Sequence, residues 1–134
     1  LLAQVPKRLL AVRAFADMPE SNALAAANKR IGNILKKSAN EAQAVEPRLI
    51  VEPAEIALYD AMETVASLAD AAFESGNYTA SLQALAALRA PVDAFFDNVM
   101  VNAEDVAIRA NRLGLLSQLH ATMNRVADLS KLAR

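Results

Sequence analysis

A chain of 134 residues, 54% apolar and 22% charged, has the content of one folded domain, and its 30 alanines favour helix throughout. The lack of cysteine excludes disulfides and thiol chemistry, the single histidine excludes a multi-histidine metal site, and the longest uncharged run, 14 residues over 75–88, is too short to span a bilayer. The net charge of −1 conceals blocks: residues 1–48 sum to +4, 49–106 to −9 and 107–134 to +4, so a basic face forms if the two ends meet in the fold, unless the blocks simply pair with each other.

The chain opens Leu1-Leu2-Ala3, with no initiator Met and no signal-peptide pattern, and reads as a single domain (1–134) from a longer protein. A first helix is predicted from near Pro6 to Ala16, with Leu9, Leu10, Val12 and Phe15 as its apolar set. Asp17-Met18 breaks it. Pro19 suits the first turn of a second helix, where its missing N–H is an orphan in any case. That helix runs to about Ser38 on a stripe of Leu24, Ala27, Ile31, Ile34 and Leu35. Residues 39–51 have weak periodicity and read as loop.

A third helix is predicted from Pro53 to just before Gly76, striped by Leu58, Met62, Val65, Ala69 and Ala72. A fourth starts at Asn77 or Tyr78 with Leu82, Leu85 and Leu88, and Pro91 stops or kinks it before a short continuation over Val92 to Phe96. Residues 98–103 read as loop. The last helix opens near Glu104-Asp105, with Leu113, Leu116, Met123 and Val126 on one stripe and Leu115, Leu119 and Leu129 beside it. Two stripes make it central. The fold class is therefore all-α, a bundle of five to six antiparallel helices. Gly32 and Gly114 interrupt helices, and close helix–helix approach is the expected reason.

No nucleophile–base pair and no glycine-rich phosphate loop is present, so no catalytic residue, metal ligand or cofactor site is assigned to the chain. His120 borders an apolar stripe and reads as a boundary residue, and Glu52, Glu55 and Glu63 read as solvated helix faces rather than metal ligands. The basic residues say more. On the second helix Lys29, Asn33, Lys36 and Lys37 share a face, with Arg30 adjacent and the apolar stripe opposite; on the last helix Arg109, Asn111 and Arg112 stand together. Lys and Arg neutralise phosphates, Asn can pair with a base edge, and RNA readers add stacking on aromatics or Arg planes.

These residues sit in blocks with a family resemblance. Ala25-Ala26-Ala27-Asn28-Lys29-Arg30-Ile31-Gly32-Asn33-Ile34-Leu35 and Pro91-Val92-Asp93-Ala94-Phe95-Phe96-Asp97-Asn98-Val99-Met100-Val101, followed by Asp105 and Arg109-Ala110-Asn111-Arg112-Leu113, resemble the C-terminal region of the bacterial glycyl-tRNA synthetase beta subunit. The likeness runs from Arg8 to Leu129 in the same order and spacing. Asn102 departs from a frequent second Met and can serve as a helix cap. The resemblance implies an anticodon-binding domain of the DALR type, a helical bundle shared with arginyl-type synthetases. It implies a cytoplasmic ligase of alpha and beta subunits that charges glycine tRNA with ATP, the chemistry lying on the alpha subunit. It also implies that this chain grips the tRNA through Lys29, Arg30, Asn33, Lys36, Lys37, Arg109, Asn111 and Arg112, with Phe95, Phe96, Val99 and Met100 as packing. Glycine anticodons carry two cytosines, whose N4 amino groups acceptors near Asp97 and Asn98 can read. The rival readings are the equivalent arginyl-type domain and a non-catalytic bundle that joins subunits, its basic face docking an acidic protein.

Overall fold

The computed structural model describes residues 5–38 and 40–131, with side chains for 9–38 and 40–126. Among the described residues there are six α-helices, one 3-10 turn and no strand. They are α1 (Val5–Ala16), α2 (Pro19–Ser38), α3 (Pro53–Glu74), α4 (Tyr78–Ala86), α5 (Arg89–Asn98) and α6 (Val106–Lys131). No helix among the described residues is long and apolar enough to cross a membrane.

Local chemistry sets the boundaries. Pro19 and Pro53 each open a helix, where a missing N–H costs nothing. Gly76 ends α3 with a φ of 78°, a left-handed conformation that side chains disfavour. Asn77 then caps α4, its Oδ1 accepting from Ala80 N at 3.2 Å. The cap of α6 is Asp105, whose Oδ1 accepts from Ile108 N at 3.0 Å, rather than the exposed Asn102.

Three expectations are refined. The 39–51 loop contains a 3-10 turn at Pro47–Leu49. The break in the fourth helical region falls at 87–88, so Pro91 lies in the first turn of a separate helix, where it is tolerated, and kinks nothing. In α1 the buried residue is Ala11, while Leu10 is 65% exposed.

The core is one cluster. It joins Leu24 and Ile31 of α2, Leu58, Met62, Val65 and Ala69 of α3, Leu82 and Leu85 of α4, Val92 and Phe95 of α5, and Leu115, Leu116, Leu119, Met123 and Val126 of α6. Both stripes of α6 are buried as far as Val126, while Leu129 falls outside the described side chains. α6 packs against α1, α2, α3 and α4, which is the central position its two stripes imply. α5 packs on α3 and α2 rather than chiefly on α6. That placement brings Phe96 beneath α2, where Arg30 lies over its ring.

Gly114 allows a close approach, but of a connector rather than a helix. A Cβ there would collide with the carbonyl oxygen of Gln43. Gln43 N donates to Ala110 O at 3.2 Å, so the segment after α2 lies directly on α6. At Gly32 a Cβ would meet only His120 Nε2, at an ordinary 3.5 Å, so close approach does not account for this glycine. His120 is a half-buried boundary residue hydrogen-bonded to Asn124, whose Oδ1 accepts from Asn28 Nδ2 at 3.0 Å.

Candidate nucleic-acid interface

The basic residues of the two helices meet different fates. On α2, Ala26, Lys29, Arg30, Asn33, Ile34 and Lys37 line one open depression, at the spacing that puts them on a single helical face. Lys36 is exposed beside it. Lys29, Arg30, Lys36 and Lys37 are all exposed, and among the described residues none of them forms an ion pair. Arg30 belongs to the face rather than adjoining it, its Cζ 4.1 Å from the centroid of the Phe96 ring. Lys36 and Lys37 in the last turn also complement the negative end of the helix dipole.

The trio on α6 does structural work, which corrects the expectation that it shares an RNA-facing surface. Arg112 is 6% exposed. Its Nη2 donates to Glu55 Oε1 at 2.9 Å and its Nη1 to Met100 O at 2.6 Å. Asn111 is 2% exposed, and its Oδ1 accepts from Glu46 N at 2.6 Å. Arg109 donates to Glu41 Oε1 at 3.1 Å and to Ala103 O at 2.8 Å. Together these three fasten the 41–46 connector, the start of α3 and the α5–α6 loop to the first turns of α6. Arg112, buried and bonded through both Nη atoms, has no fork left for a phosphate, whereas Arg109 is 22% exposed in its side chain and bonded through Nε and Nη1.

Glu55 is the second correction. It is fully buried, not solvated, and besides Arg112 it accepts from Glu52 N at 3.1 Å. The signal was in the periodicity. Glu55 extends the stripe of Leu58, Met62, Val65 and Ala69 by one step, and Arg112 extends that of Leu116, Leu119 and Met123. A charged residue on the apolar stripe of one helix requires a partner on another, because an unpaired buried charge is too costly to keep.

Among the described residues, pairing between a basic and the acidic block is confined to Arg112 with Glu55 and Arg125 with Asp70, the other pairs falling within one block or between the two basic ones. Arg125 meets Asp70 at 3.2 Å, Arg89 meets Asp93 at 3.5 Å and Arg48 meets Glu46 at 3.3 Å. Lys7, Arg8, Lys131 and Arg134 of the basic ends lie outside the described side chains. Asn98 turns its amide back onto Ala94 O at 2.9 Å, while Asp97 is exposed. Among the described residues no group of three or more His, Asp or Glu side chains is placed to hold a metal ion.

Residues 24–132, which include all of the α2 face, match the model of the DALR anticodon binding domain. The chain belongs to that family. This DALR domain is 68% identical over 133 residues to the glycine–tRNA ligase beta subunit of Dechloromonas aromatica, covering 98% of the chain and 19% of that relative. It is 68% identical over 130 residues to the glycine–tRNA ligase beta subunit of Thiobacillus denitrificans (96% and 18%) and 67% over 132 residues to that of Polaromonas naphthalenivorans (98% and 19%). The DALR domain thus spans less than a fifth of the length of these curated relatives.

Proposed function

We propose that this DALR domain is the C-terminal anticodon-binding part of a glycine–tRNA ligase beta subunit, and that it holds the anticodon arm of glycine tRNA on α2. The observation that carries the reading is the set of four exposed, unpaired cations on that one helix, Lys29, Arg30, Lys36 and Lys37. Among the described side chains, every other Lys and Arg except Arg13 is paired with a carboxylate. Cations kept free on a single face, with Asn33 among them, suit a curved line of phosphates with bases between. In this reading the ligase works in the cytoplasm with an alpha subunit and ATP, both acting outside this chain, and the chain's part is to bind and position. The glycine relatives favour this parent over an arginyl-type one.

The test is salt-dependent binding of the 134-residue chain to a glycine anticodon stem–loop. Single-stranded contacts give a slope of log affinity against log salt of about −0.7 per phosphate, so four cations give about −3. Reversing Lys29→Glu and Arg30→Glu together should weaken binding and bring the slope to about −1.4 or less, with the melting curve unchanged. A double variant that binds with the parental slope overturns the assignment. If polyglutamate competes as well as the stem–loop, the face docks an acidic protein instead.

A further inference from the structure

We infer that Arg30, held over the ring of Phe96, is the stacking platform for one unpaired nucleobase. This rests on the reading of α2 as the RNA face, and it separates the group that meets a base from those that meet the backbone. The Cζ of Arg30 lies 4.1 Å from the Phe96 centroid, well inside the range of a cation–π contact. Phe96 is half-buried and packs edge to face with Phe95 at 5.6 Å and 81°, and Phe95 itself is fully buried. The ring therefore has little freedom, and it supports the guanidinium above it.

Arg30 is exposed, so its guanidinium can be reached from solvent while it lies over Phe96. No carboxylate among the described residues engages it. A planar cation already ordered by an aromatic loses little further freedom when a second flat group covers it. The neighbours suit a nucleotide. Lys29 and Lys37 flank Arg30 in the same depression, Ala26 and Ile34 give it an apolar lining, and Asn33 offers an amide that can both donate and accept. A carboxylate peptide would engage the guanidinium edge in plane. The broad surface on offer is a π-face, which matches a base. Phe96 is then a positioning residue, acting through Arg30.

The experiment measures affinity of the 134-residue chain for three RNAs of equal length: a glycine anticodon stem–loop, a fully paired hairpin, and stem–loops with one abasic position scanned through the loop. The proteins are the parent, Arg30→Lys, Phe96→Leu and Phe96→Tyr. Arg30→Lys keeps the charge at an exposed site, so folding is not at issue. It should lose roughly 5- to 100-fold for the stem–loop while keeping the salt slope. One abasic position should cost the parent a similar factor and cost Arg30→Lys nothing further. Phe96→Leu should follow Arg30→Lys, and Phe96→Tyr should hold parental affinity. A stem–loop affinity unchanged in Arg30→Lys, or an abasic loss that adds to it at every position, overturns the platform and leaves the RNA face standing. Failure of the parent to bind the stem–loop overturns both.

Discussion

Replacing Arg112 by methionine should destabilise the domain severely while leaving RNA binding intact. The Arg112 side chain is 7% exposed and that of Glu55 is 0% exposed, with 2.9 Å between Nη2 and Oε1. Taking away the guanidinium strands a buried carboxylate whose remaining donor is Glu52 N, and breaking one side of such a pair costs about 3–5 kcal/mol. Met100 O loses its donor as well, which adds about 1 kcal/mol. Against a typical domain stability of about 5–15 kcal/mol this is a large fraction. At roughly 3–5 °C per kcal/mol for a chain of this size, the melting temperature should fall by about 12–30 °C.

The double variant Glu55→Gln/Arg112→Met removes the stranded charge and keeps an acceptor for Glu52 N. It should recover about 2–3 kcal/mol relative to the sum of the single losses. Thermal and urea melts followed by helical circular dichroism give both numbers. The reasoning is refuted if Arg112→Met melts within about 3 °C of the parent, or if the two losses simply add. Below the transition, Arg112→Met should bind the anticodon stem–loop within twofold of the parent, a factor of about 0.4 kcal/mol. A loss like that of the α2 charge reversal, in folded protein, would return Arg112 to the RNA face.

Phe95→Ala should cost about 3–5 kcal/mol in a denaturant melt, because its ring is fully buried in the core, and a parental midpoint would contradict that placement. Gly32→Ala and Gly114→Ala should diverge. The first puts its Cβ at van der Waals distance from His120 and should stabilise by about 1 kcal/mol, whereas the second drives its Cβ into Gln43 O and should lower the melting temperature as the connector is pushed off α6. Asp105→Ala should cost about 0.5–2 kcal/mol through the lost bond to Ile108 N, and Asn102→Ala should be silent.

Helix boundaries were legible because each depends on one or two adjacent residues. Pro19, Pro53, Gly76, Asn77 and Asp105 act within a turn of where they stand, and the structure places helix ends at each of them. The α2 face was legible for the same reason, since spacing along one helix decides which side chains share a surface. Partnership between helices was not. Glu55 and Arg112 are 57 residues apart, and local charge makes the first read as solvated and the second as an RNA contact, although both continue apolar stripes. The basic blocks do meet, α2 packing on α6, but a shared basic face does not follow, because net charge along the chain does not say that Arg109 meets Glu41 or that Arg125 meets Asp70. Phe95 and Phe96 looked alike as a pair of core rings. Their different roles follow from the packing of α5 on α2, which buries one fully and leaves the other under Arg30.

In the proposed function RNA is held by α2 and not by the arginines of α6. A backbone-amide NMR titration of the 134-residue chain with a glycine anticodon stem–loop tests it most directly. Shifts should concentrate over residues 26–37 and around Phe96 and fade as salt is raised, with 109–112 unmoved. Shifts centred on 109–112, or a saturating complex that leaves 26–37 unperturbed, would contradict it.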